Sequence, residues 1–345
     1  MGRSRVLLGV GCPPGIACLY DEDKLLIFGP ITGRSMAVPV APCPREKYSR
    51  VIRKALPGYT PQQISLNTQG ALNLVLDVDG RFIFRFPRSE RGAKLLAMEC
   101  RLLPRLAQEL PILIPDPFVM GSLPGARGWP FMGYKRIPGR QLRWASLTPA
   151  RRRALARGLA KPLERLAAFP LATAKRLGVP GGGSKGFRGE MTDLYESLRK
   201  HGYPVIPANL REDLDRRFRH YLDSPENFEF RPTLLHGEIH SSHVLWKADR
   251  VSGISDGGFA SIGDPAREFA PWAAHFGTRA VPHLMAGRVG PRDFTFLDRV
   301  AFYRLLIPIW QIRNRAWAGN FAGAKEAVGW LRRALSLPPT QGWSR

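Results

Sequence analysis

Two stretches of the chain decide the fold: residues 234–246 read LLHGEIHSSHVLW, and residues 253–265 read GISDGGFASIGDP. The first consists of an apolar run, a polar loop and a second apolar run. A short apolar strand at about 251–254 places Asp256 just after its end. The pattern therefore predicts two carboxylates, those of Glu238 and Asp256, and up to three histidines on adjacent loops.

A β-hairpin is the clearest local pattern N-terminal to these stretches. Apolar residues alternate with other residues on both sides of Asp79-Gly80, which predicts two strands joined by a two-residue primed turn. They are Leu72, Leu74, Leu76 and Val78 before the turn and Phe82, Phe84 and Phe86 after it. The strand period of two places Arg85 on the face opposite the phenylalanines, where its charge needs an anion. A helix over about 89–107, which contains Glu99, follows the hairpin.

The order of these motifs matches the active-site pattern of protein kinases. That pattern has a carboxylate that receives the hydroxyl proton, a metal ligand five residues later, and a metal-holding aspartate beyond the next hairpin. From about residue 60 to residue 300 the chain resembles the aminoglycoside phosphotransferase family, most of all its 2''-aminoglycoside members, with the macrolide phosphotransferases next. The motifs that carry the resemblance are FIFRFPR at 82–88, Glu99 fourteen residues after Arg85, PFMGYKRIPG at 130–139, HGEIHSSH at 236–243, and Asp256 followed by GDP at 263–265. The resemblance implies an α+β, bilobal protein-kinase-like fold with a small β-rich N-lobe and a larger, mainly helical C-lobe.

The resemblance also implies roles for individual residues. Glu238 occupies the position of the catalytic base, and His243 and Asp256 occupy those of the metal ligands. The implied nucleotide-binding residues are Arg85 in place of the phosphate-holding lysine, Glu99 that orients it, and Tyr134 and Ile137 in the hinge segment against which the purine lies. The implied cofactor is Mg²⁺, with ATP or GTP as the co-substrate.

Several of these positions depart from the family pattern. Glu238 stands where the family has Asp, and a misplacement of about 1 Å can cost about a hundredfold in rate. Arg85 is bulkier than lysine and is not interchangeable with it at a fitted phosphate site. Gly257, Gly258 and Phe259 replace a bulky residue, a glycine and an acid. The imidazole of His243 suits a hard magnesium ion less well than an oxygen does. Together these departures predict attenuated or altered activity.

Three segments are predicted along the chain. Residues 1–45 form an N-terminal extension to which no role is assigned, 46–137 form the N-lobe with the nucleotide-binding sheet and a helix, and 138–345 form the helical C-lobe with the catalytic loop and acceptor site. The turn signal Ile137-Pro138-Gly139 marks the boundary between the lobes. Within the C-lobe, a helix over about 147–170 precedes a glycine run at 181–183, which is interpreted as a connector because the phosphate-loop spacing is absent.

Composition limits the partners. The chain has 52 Lys and Arg against 28 Asp and Glu, a formal charge of +24, which indicates an anionic partner. A nucleotide is favoured over nucleic acid, because 31 prolines and 35 glycines beside many arginines indicate a general compositional bias. No apolar run approaches the roughly 18 residues of a membrane span, so no membrane partner is expected. Four cysteines without a CxxC pair fit a cytoplasmic protein rather than a cysteine zinc site. The oligomeric state stays open.

The expected function is that of a small-molecule kinase, a phosphotransferase with an alcohol group as acceptor. It would move the γ-phosphoryl group of ATP or GTP to a hydroxyl of an antibiotic-like or sugar-like molecule. Ten basic residues against the single acid Glu164 in 151–189 favour a macrolide, a neutral sugar or a phosphorylated metabolite over a polycationic aminoglycoside. A local acidic pocket formed by Glu190, Asp193 and Glu196 would reverse that preference. The alternative is a catalytically impaired pseudokinase that acts as a nucleotide-binding or interaction module.

Other polar and aromatic residues are interpreted structurally. His236 is expected to brace its loop, and His240 is open between packing and lining of the acceptor pocket. Asp264 is expected to cap or brace the helix that follows it. The tryptophans near the C terminus, Trp310, Trp317 and Trp330, are expected to belong to a helical core.

Overall fold

A computed structural model of the chain describes residues 45–67, 72–123, 128–141, 147–181, 186–276, 281–285 and 293–336. These residues divide into two compact units. The first consists of the described residues up to Leu96 together with Pro117–Arg136, and the second of Ala97–Asp116 and the described residues from Ile137 onward. Apart from Arg45, the predicted N-terminal extension lies outside the described residues, as do 182 and 183 of the glycine run.

The first unit is an antiparallel sheet with one helix of its own. Helix α1 spans Arg45–Ala55. The strands are β1 (Ile64–Asn67), β2 (Asn73–Val78), β3 (Phe82–Pro87), β4 (Pro117–Ser122) and β5 (Pro130–Lys135). They lie in the order β1-β2-β3-β5-β4, and every neighbouring pair is antiparallel. Helix α2, Glu90–Glu109, begins in this unit and ends in the second.

The predicted hairpin is strands β2 and β3. Asp79 and Gly80 both have positive φ, 54° and 66°, and the Arg81 N–H donates to the Val78 carbonyl at 2.9 Å, which makes the turn a primed one. The strand pairing resumes at Phe82 opposite Val78, so the connection has three residues and not the predicted two. Apart from Leu72, the alternating apolar residues of the hairpin face one core, which also includes Ile52 of α1. The alternation of apolar residues therefore predicted correctly which face of the hairpin is turned to the core.

The second unit consists mainly of helices. They are α3 (Pro149–Ala167), α4 (Leu171–Arg176), α5 (Gly186–Ser197), α6 (Ala208–Asp223), α7 (Ala266–Phe276), α8 (Val281–Met285), α9 (Phe296–Trp317) and α10 (Phe321–Ser336). A π-helical turn, Leu198–Gly202, extends α5, and 3₁₀ turns lie at Tyr203–Val205 and Pro225–Phe228. None of the helices in the described part of the chain is long and apolar enough to cross a membrane.

Two small sheets in this unit flank the loops that contain Glu238, His243 and Asp256. Their strands are β6 (Arg140–Gln141), β7 (Thr233–Leu235), β8 (Val244–Lys247), β9 (Arg250–Ile254) and β10 (Ser261–Gly263). Strands β6, β8 and β9 form one sheet, and β7 pairs with β10 in the other. The loop at 236–243 therefore runs from one sheet to the other, and the loop at 255–260 runs back.

The core of the second unit surrounds α9, most of whose residues are buried. Trp310 is buried there and Trp330 packs at its edge, as expected for a helical core. Trp317 is 51 % exposed, so its expected core position is wrong. It is the last residue of α9, where the helix leaves the core.

The fold class is therefore α+β, with one β-rich unit and one mainly helical unit, as expected. The lobe boundaries given above, 46–137 and 138–345, stay predictions. Besides Arg45 and Ile137 at the boundaries, the compact units differ from those ranges by Ala97–Asp116, which belongs to the helical unit.

Candidate active site

The loop between β7 and β8 is anchored by a residue far along the chain. Glu268, in the first turn of α7, accepts hydrogen bonds at Oε2 from the N–H groups of His236, at 2.6 Å, and Gly237, at 3.3 Å. Gly237 has φ of 85°, and a Cβ there would lie 2.5 Å from the carbonyl oxygen of Phe259. Only glycine fits this position, and it lets the loop pass close to the segment before β10.

His236 holds the two loops together. Its Nε2 lies 3.1 Å from the carbonyl oxygen of Ser255, and its Nδ1 accepts a hydrogen bond from the Glu238 N–H at 3.3 Å. This pattern corresponds to the neutral ring with its proton on Nε2. Burial, helped by the nearby His243 and opposed by Asp256, lowers the pKa of His236 to about 4. His236 therefore braces the site in its neutral form.

His243 lies between the two predicted carboxylates. Its Nδ1 is 2.9 Å from the carbonyl oxygen of Glu238 and 3.9 Å from Oε2 of the same residue. Its Nε2 is 3.8 Å from Oδ2 of Asp256. The Ser255 N–H donates to the His243 carbonyl at 2.8 Å, so the backbone fixes the position of Asp256 beside the ring. The predicted residues Glu238, His243 and Asp256 thus lie together.

These two carboxylates differ in exposure. The side chain of Glu238 is 5 % exposed, whereas that of Asp256 is 40 % exposed. Asp256 also has φ of 63°, an uncommon conformation for a residue other than glycine, which Asp tolerates better than most. A strained backbone at an exposed acid is typical of functional sites.

A second histidine adjoins His243. The ring centroids of His240 and His243 are 4.1 Å apart, and His240 is 6 % exposed. The Ser242 N–H donates to Nδ1 of His240 at 3.3 Å. A carboxylate oxygen of Glu238 and one ring nitrogen from each of His240 and His243 lie within 4.8 Å of one another. His240 therefore lies in the site, where its buried ring packs against that of His243.

The residues predicted to bind nucleotide occur in both units. In the first, Arg85 on β3 and Tyr134 on β5 are both buried, and Arg85 lies opposite Met132 in the strand register. In the second, Ile137 and Glu99 are also buried. The structure brings Glu99 against the segment after Asp256, because a Cβ at Gly258 would lie 3.0 Å from Oε1 of Glu99. Glycine at 258 makes that approach possible.

Asp264 is structural, as expected. Its Oδ1 accepts a hydrogen bond from the Ala266 N–H at 2.9 Å, which caps α7. It also pairs with Arg299 through two hydrogen bonds, from Nε at 2.7 Å and from Nη2 at 3.1 Å. Arg299 reaches Asp293 as well, and it is fully buried.

Sequence reasoning missed Glu268 and Arg299. Glu268 follows Asp264 by one helical turn, so an acid repeated at this spacing after GDP was the available signal. Arg299 interrupts an apolar helix, where a charge needs a buried partner. Asp293 lies six residues before Arg299, but nothing local identified Asp264, which lies on a different element.

Comparison with known proteins identifies the family and the fold of the chain. The model of the "Phosphotransferase enzyme family" matches residues 63–294. Viomycin phosphotransferase of Streptomyces vinaceus is 26 % identical over 247 residues, which are 70 % of this chain and 83 % of that protein. The GDP complex of wild-type aminoglycoside 2'-phosphotransferase-IIIa has a TM-score of 0.79 and 26 % identity, covering 85 % of this chain and 99 % of that one. Macrolide 2'-phosphotransferase type I shares the fold, with a TM-score of 0.65 at 21 % identity over 83 % of this chain and 95 % of that one.

The chain belongs to the phosphotransferase enzyme family. The expected resemblance and the kinase-like α+β fold are confirmed. The protein is a phosphotransferase that acts on a hydroxyl group, and the enzyme interpretation is favoured over the pseudokinase one.

Proposed function

We propose that the protein transfers the γ-phosphoryl group of ATP or GTP to a hydroxyl of a small antibiotic-like or sugar-like acceptor. The observation that supports this most is the position of His243, which lies 3.9 Å from the Glu238 carboxylate and 3.8 Å from that of Asp256. A base for the hydroxyl proton and an anionic metal ligand on neighbouring loops are the two groups that this reaction requires.

Glu238 is the proposed catalytic base. Its carboxylate accepts the acceptor's hydroxyl proton as the oxygen attacks the γ-phosphorus, and a positioned base of this kind contributes about 10²–10⁴-fold. The buried position of Glu238 leaves the carboxylate little water to compete with the acceptor hydroxyl. The anchored backbone at His236 and Gly237 fixes the point from which the longer side chain extends.

Asp256 and His243 are the proposed ligands of Mg²⁺. Mg²⁺ binds proteins through one or two carboxylates, keeps several waters and takes its other ligands from phosphates, so one exposed carboxylate is a sufficient anchor. The half-exposed Asp256 fits that requirement, and His243 adds a weaker nitrogen ligand. When bound, the ion neutralises charge that develops on the phosphate oxygens.

Arg85, Glu99, Tyr134 and Ile137 are the proposed nucleotide-binding residues. Arg85 carries the fixed charge that phosphate oxygens need, and the buried Glu99 lies beside Gly258, next to the proposed metal ligand. A similar enzyme was solved with GDP, so GTP is tested with ATP from the start.

The proposed acceptor is a hydroxylated antibiotic. Viomycin and the aminoglycosides, which appear in the names of similar enzymes, are the first compounds to test. Macrolides and neutral sugars belong in the same screen, because the cationic stretch 151–189 disfavours polycations. The predicted cytoplasmic location belongs to this proposal, since the low cysteine content fits a reducing compartment.

An acceptor screen combined with a Glu238→Ala variant tests the proposal. Release of nucleoside diphosphate is measured with ATP and with GTP for each acceptor, and nucleotide binding is measured separately by calorimetry. We expect Glu238→Ala to lower turnover about 10²–10⁴-fold while nucleotide affinity is kept. Glu212→Ala, on the exposed side of α6, is the matched control. Equal turnover in Glu238→Ala and the parent would exclude Glu238 as the base.

A further inference from the structure

The three side chains of Glu238, His240 and His243 form a ligand set of their own. Three of the seven histidines of the chain occur in the eight-residue segment 236–243, and two of them, His240 and His243, lie near the Glu238 carboxylate. The ligand atoms of this trio lie within 4.8 Å of one another. Two imidazoles and one carboxylate are the ligands of many catalytic zinc sites, whereas Mg²⁺ prefers oxygen ligands alone.

We propose that Glu238, His240 and His243 bind a divalent transition-metal ion of the zinc type, in a mode that shares His243 with the proposed magnesium site and excludes magnesium while zinc is bound. Tetrahedral zinc with bonds of 2.0–2.2 Å places its ligand atoms about 3.3 Å apart. The ligand atoms of the trio therefore lie at most about 1.5 Å farther apart than in such a site.

The hydrogen bonds around the trio favour His243 as the first ligand. Its Nδ1 lies 2.9 Å from the Glu238 carbonyl oxygen, so Nδ1 carries the proton and Nε2 keeps its lone pair. A histidine that donates to a backbone carbonyl through one nitrogen and binds metal through the other is the usual arrangement in metal sites. Asp256, 3.8 Å from Nε2, offers an oxygen for the fourth position.

Metal binding by His240 gives up a hydrogen bond at its Nδ1. Its Nδ1 accepts from the Ser242 N–H at 3.3 Å, and that bond is lost whichever ring nitrogen takes the metal. The bond is long and therefore weak. His236 is excluded from the set, because Ser255 and the Glu238 N–H occupy both of its nitrogens.

Ligation by zinc has a consequence for catalysis that rests on the proposed function. The same Glu238 carboxylate cannot accept a hydroxyl proton while it binds a metal ion, and His243 cannot serve both ions. Zinc is therefore expected to inhibit phosphoryl transfer and to compete with magnesium.

The test measures zinc binding by the nucleotide-free protein, with a fluorescent zinc indicator as competitor. We expect one strong site in the parent, and a loss of affinity of about a hundredfold or more in His240→Asn and in His243→Asn, since even outer-shell changes cost 10–100-fold. His220→Asn, which removes an exposed histidine on α6, is the matched control and should leave affinity unchanged. Zinc affinity equal to the parent's in both site variants would overturn the proposal.

Cobalt spectroscopy of the unmodified protein gives a second readout that does not depend on folded variants. A four-coordinate Co²⁺ site with nitrogen ligands gives intense visible bands, whereas six-coordinate Co²⁺ gives weak ones, and zinc should displace the former. Weak bands alone would overturn the proposal.

An inhibition experiment compares turnover with and without zinc in the parent and in His240→Asn. If Glu238→Gln loses zinc binding and keeps full turnover, the proposed base is wrong and the metal site stands.

Discussion

Asp256 and Asp264 lie on either side of strand β10, and the fold gives them opposite surroundings. The side chain of Asp256 is 40 % exposed, and its backbone has φ of 63°. The side chain of Asp264 is 1 % exposed and pairs with the buried Arg299. Two identical residues in one short segment therefore serve different purposes: the first is available to solutes, and the second holds α9 against the start of α7.

The largest effect that this comparison predicts is on turnover at Asp256. Asp256→Asn removes the charge that holds the metal, and metal stabilisation of a transition state is worth several kcal/mol, so turnover should fall about a thousandfold. The melting temperature should stay close to the parent's, because the carboxylate is well exposed. Asp223→Asn, an exposed acid at the end of α6, is the control. Full turnover in Asp256→Asn would remove the distinction between the two aspartates.

The second effect is on stability at the Asp264 pair. Arg299→Met leaves the Asp264 carboxylate buried without its partner, which should lower the free energy of unfolding by about 3–5 kcal/mol. Urea denaturation measures it. Arg216→Met breaks an ion pair whose arginine is 73 % exposed, and should cost less than about 1 kcal/mol. Similar losses in the two variants would show that Asp264 is not held as the structure indicates.

The third effect is on stability at Gly237. It distinguishes the cost of a left-handed backbone conformation from the cost of a steric clash. Gly237→Ala places a Cβ 2.5 Å from the Phe259 carbonyl oxygen at a residue with φ of 85°. Gly319→Ala has a similar φ, 75°, with no atom within 4 Å of the added Cβ. The control should cost about 1–2 kcal/mol for the left-handed conformation alone, and Gly237→Ala clearly more. Equal costs in thermal or urea unfolding would mean that the loop moves away from Phe259 freely.

The smallest effect concerns Asp79, which has positive φ like Asp256 but a fully engaged carboxylate. The Tyr59 hydroxyl, together with the N–H groups of Gln63 and Gln62, lowers the pKa of Asp79 below its ordinary value of 3.8. A lowered pKa in the folded state means stability that is present above pH 3.8 and is lost as the pH falls through the folded value.

Melting temperatures of the parent and Asp79→Asn, recorded between about pH 5 and pH 2, measure this contribution. The parent should be the more stable at the upper end, and the difference should shrink at the lower end. Tyr59→Phe, which keeps the ring and removes the donor, should reduce the same slope in part. A difference that stays constant with pH would show that the hydrogen bonds do not favour the charged form.

Local sequence was sufficient to predict elements whose formation depends on neighbouring residues. The hairpin at Asp79-Gly80 follows from the strand period and from turn residues that tolerate positive φ, although the pattern did not reveal the third connecting residue. Helix α2 was expected over about 89–107 and spans Glu90–Glu109, because its apolar residues recur at helical spacing. The resemblance then indicated the positions of Glu238, His243 and Asp256 from their order and gaps.

The features that the sequence did not predict depend on contacts between residues distant in the chain. Trp317 has the apolar character of a core residue and lies exposed, because α9 ends at it. Glu268 anchors the catalytic-type loop across 32 residues of sequence, and no periodicity relates the two.

By itself, the sequence determined the element types, the order of the motifs and the family, because turn chemistry, hydrophobic period and motif spacing are properties of short segments. Only the tertiary structure decided which aspartate is exposed, which histidine is committed to bracing, and that His240 joins Glu238 and His243. Burial and hydrogen-bond partners arise from elements far apart in the chain, and they determine which of several identical side chains can take part in chemistry.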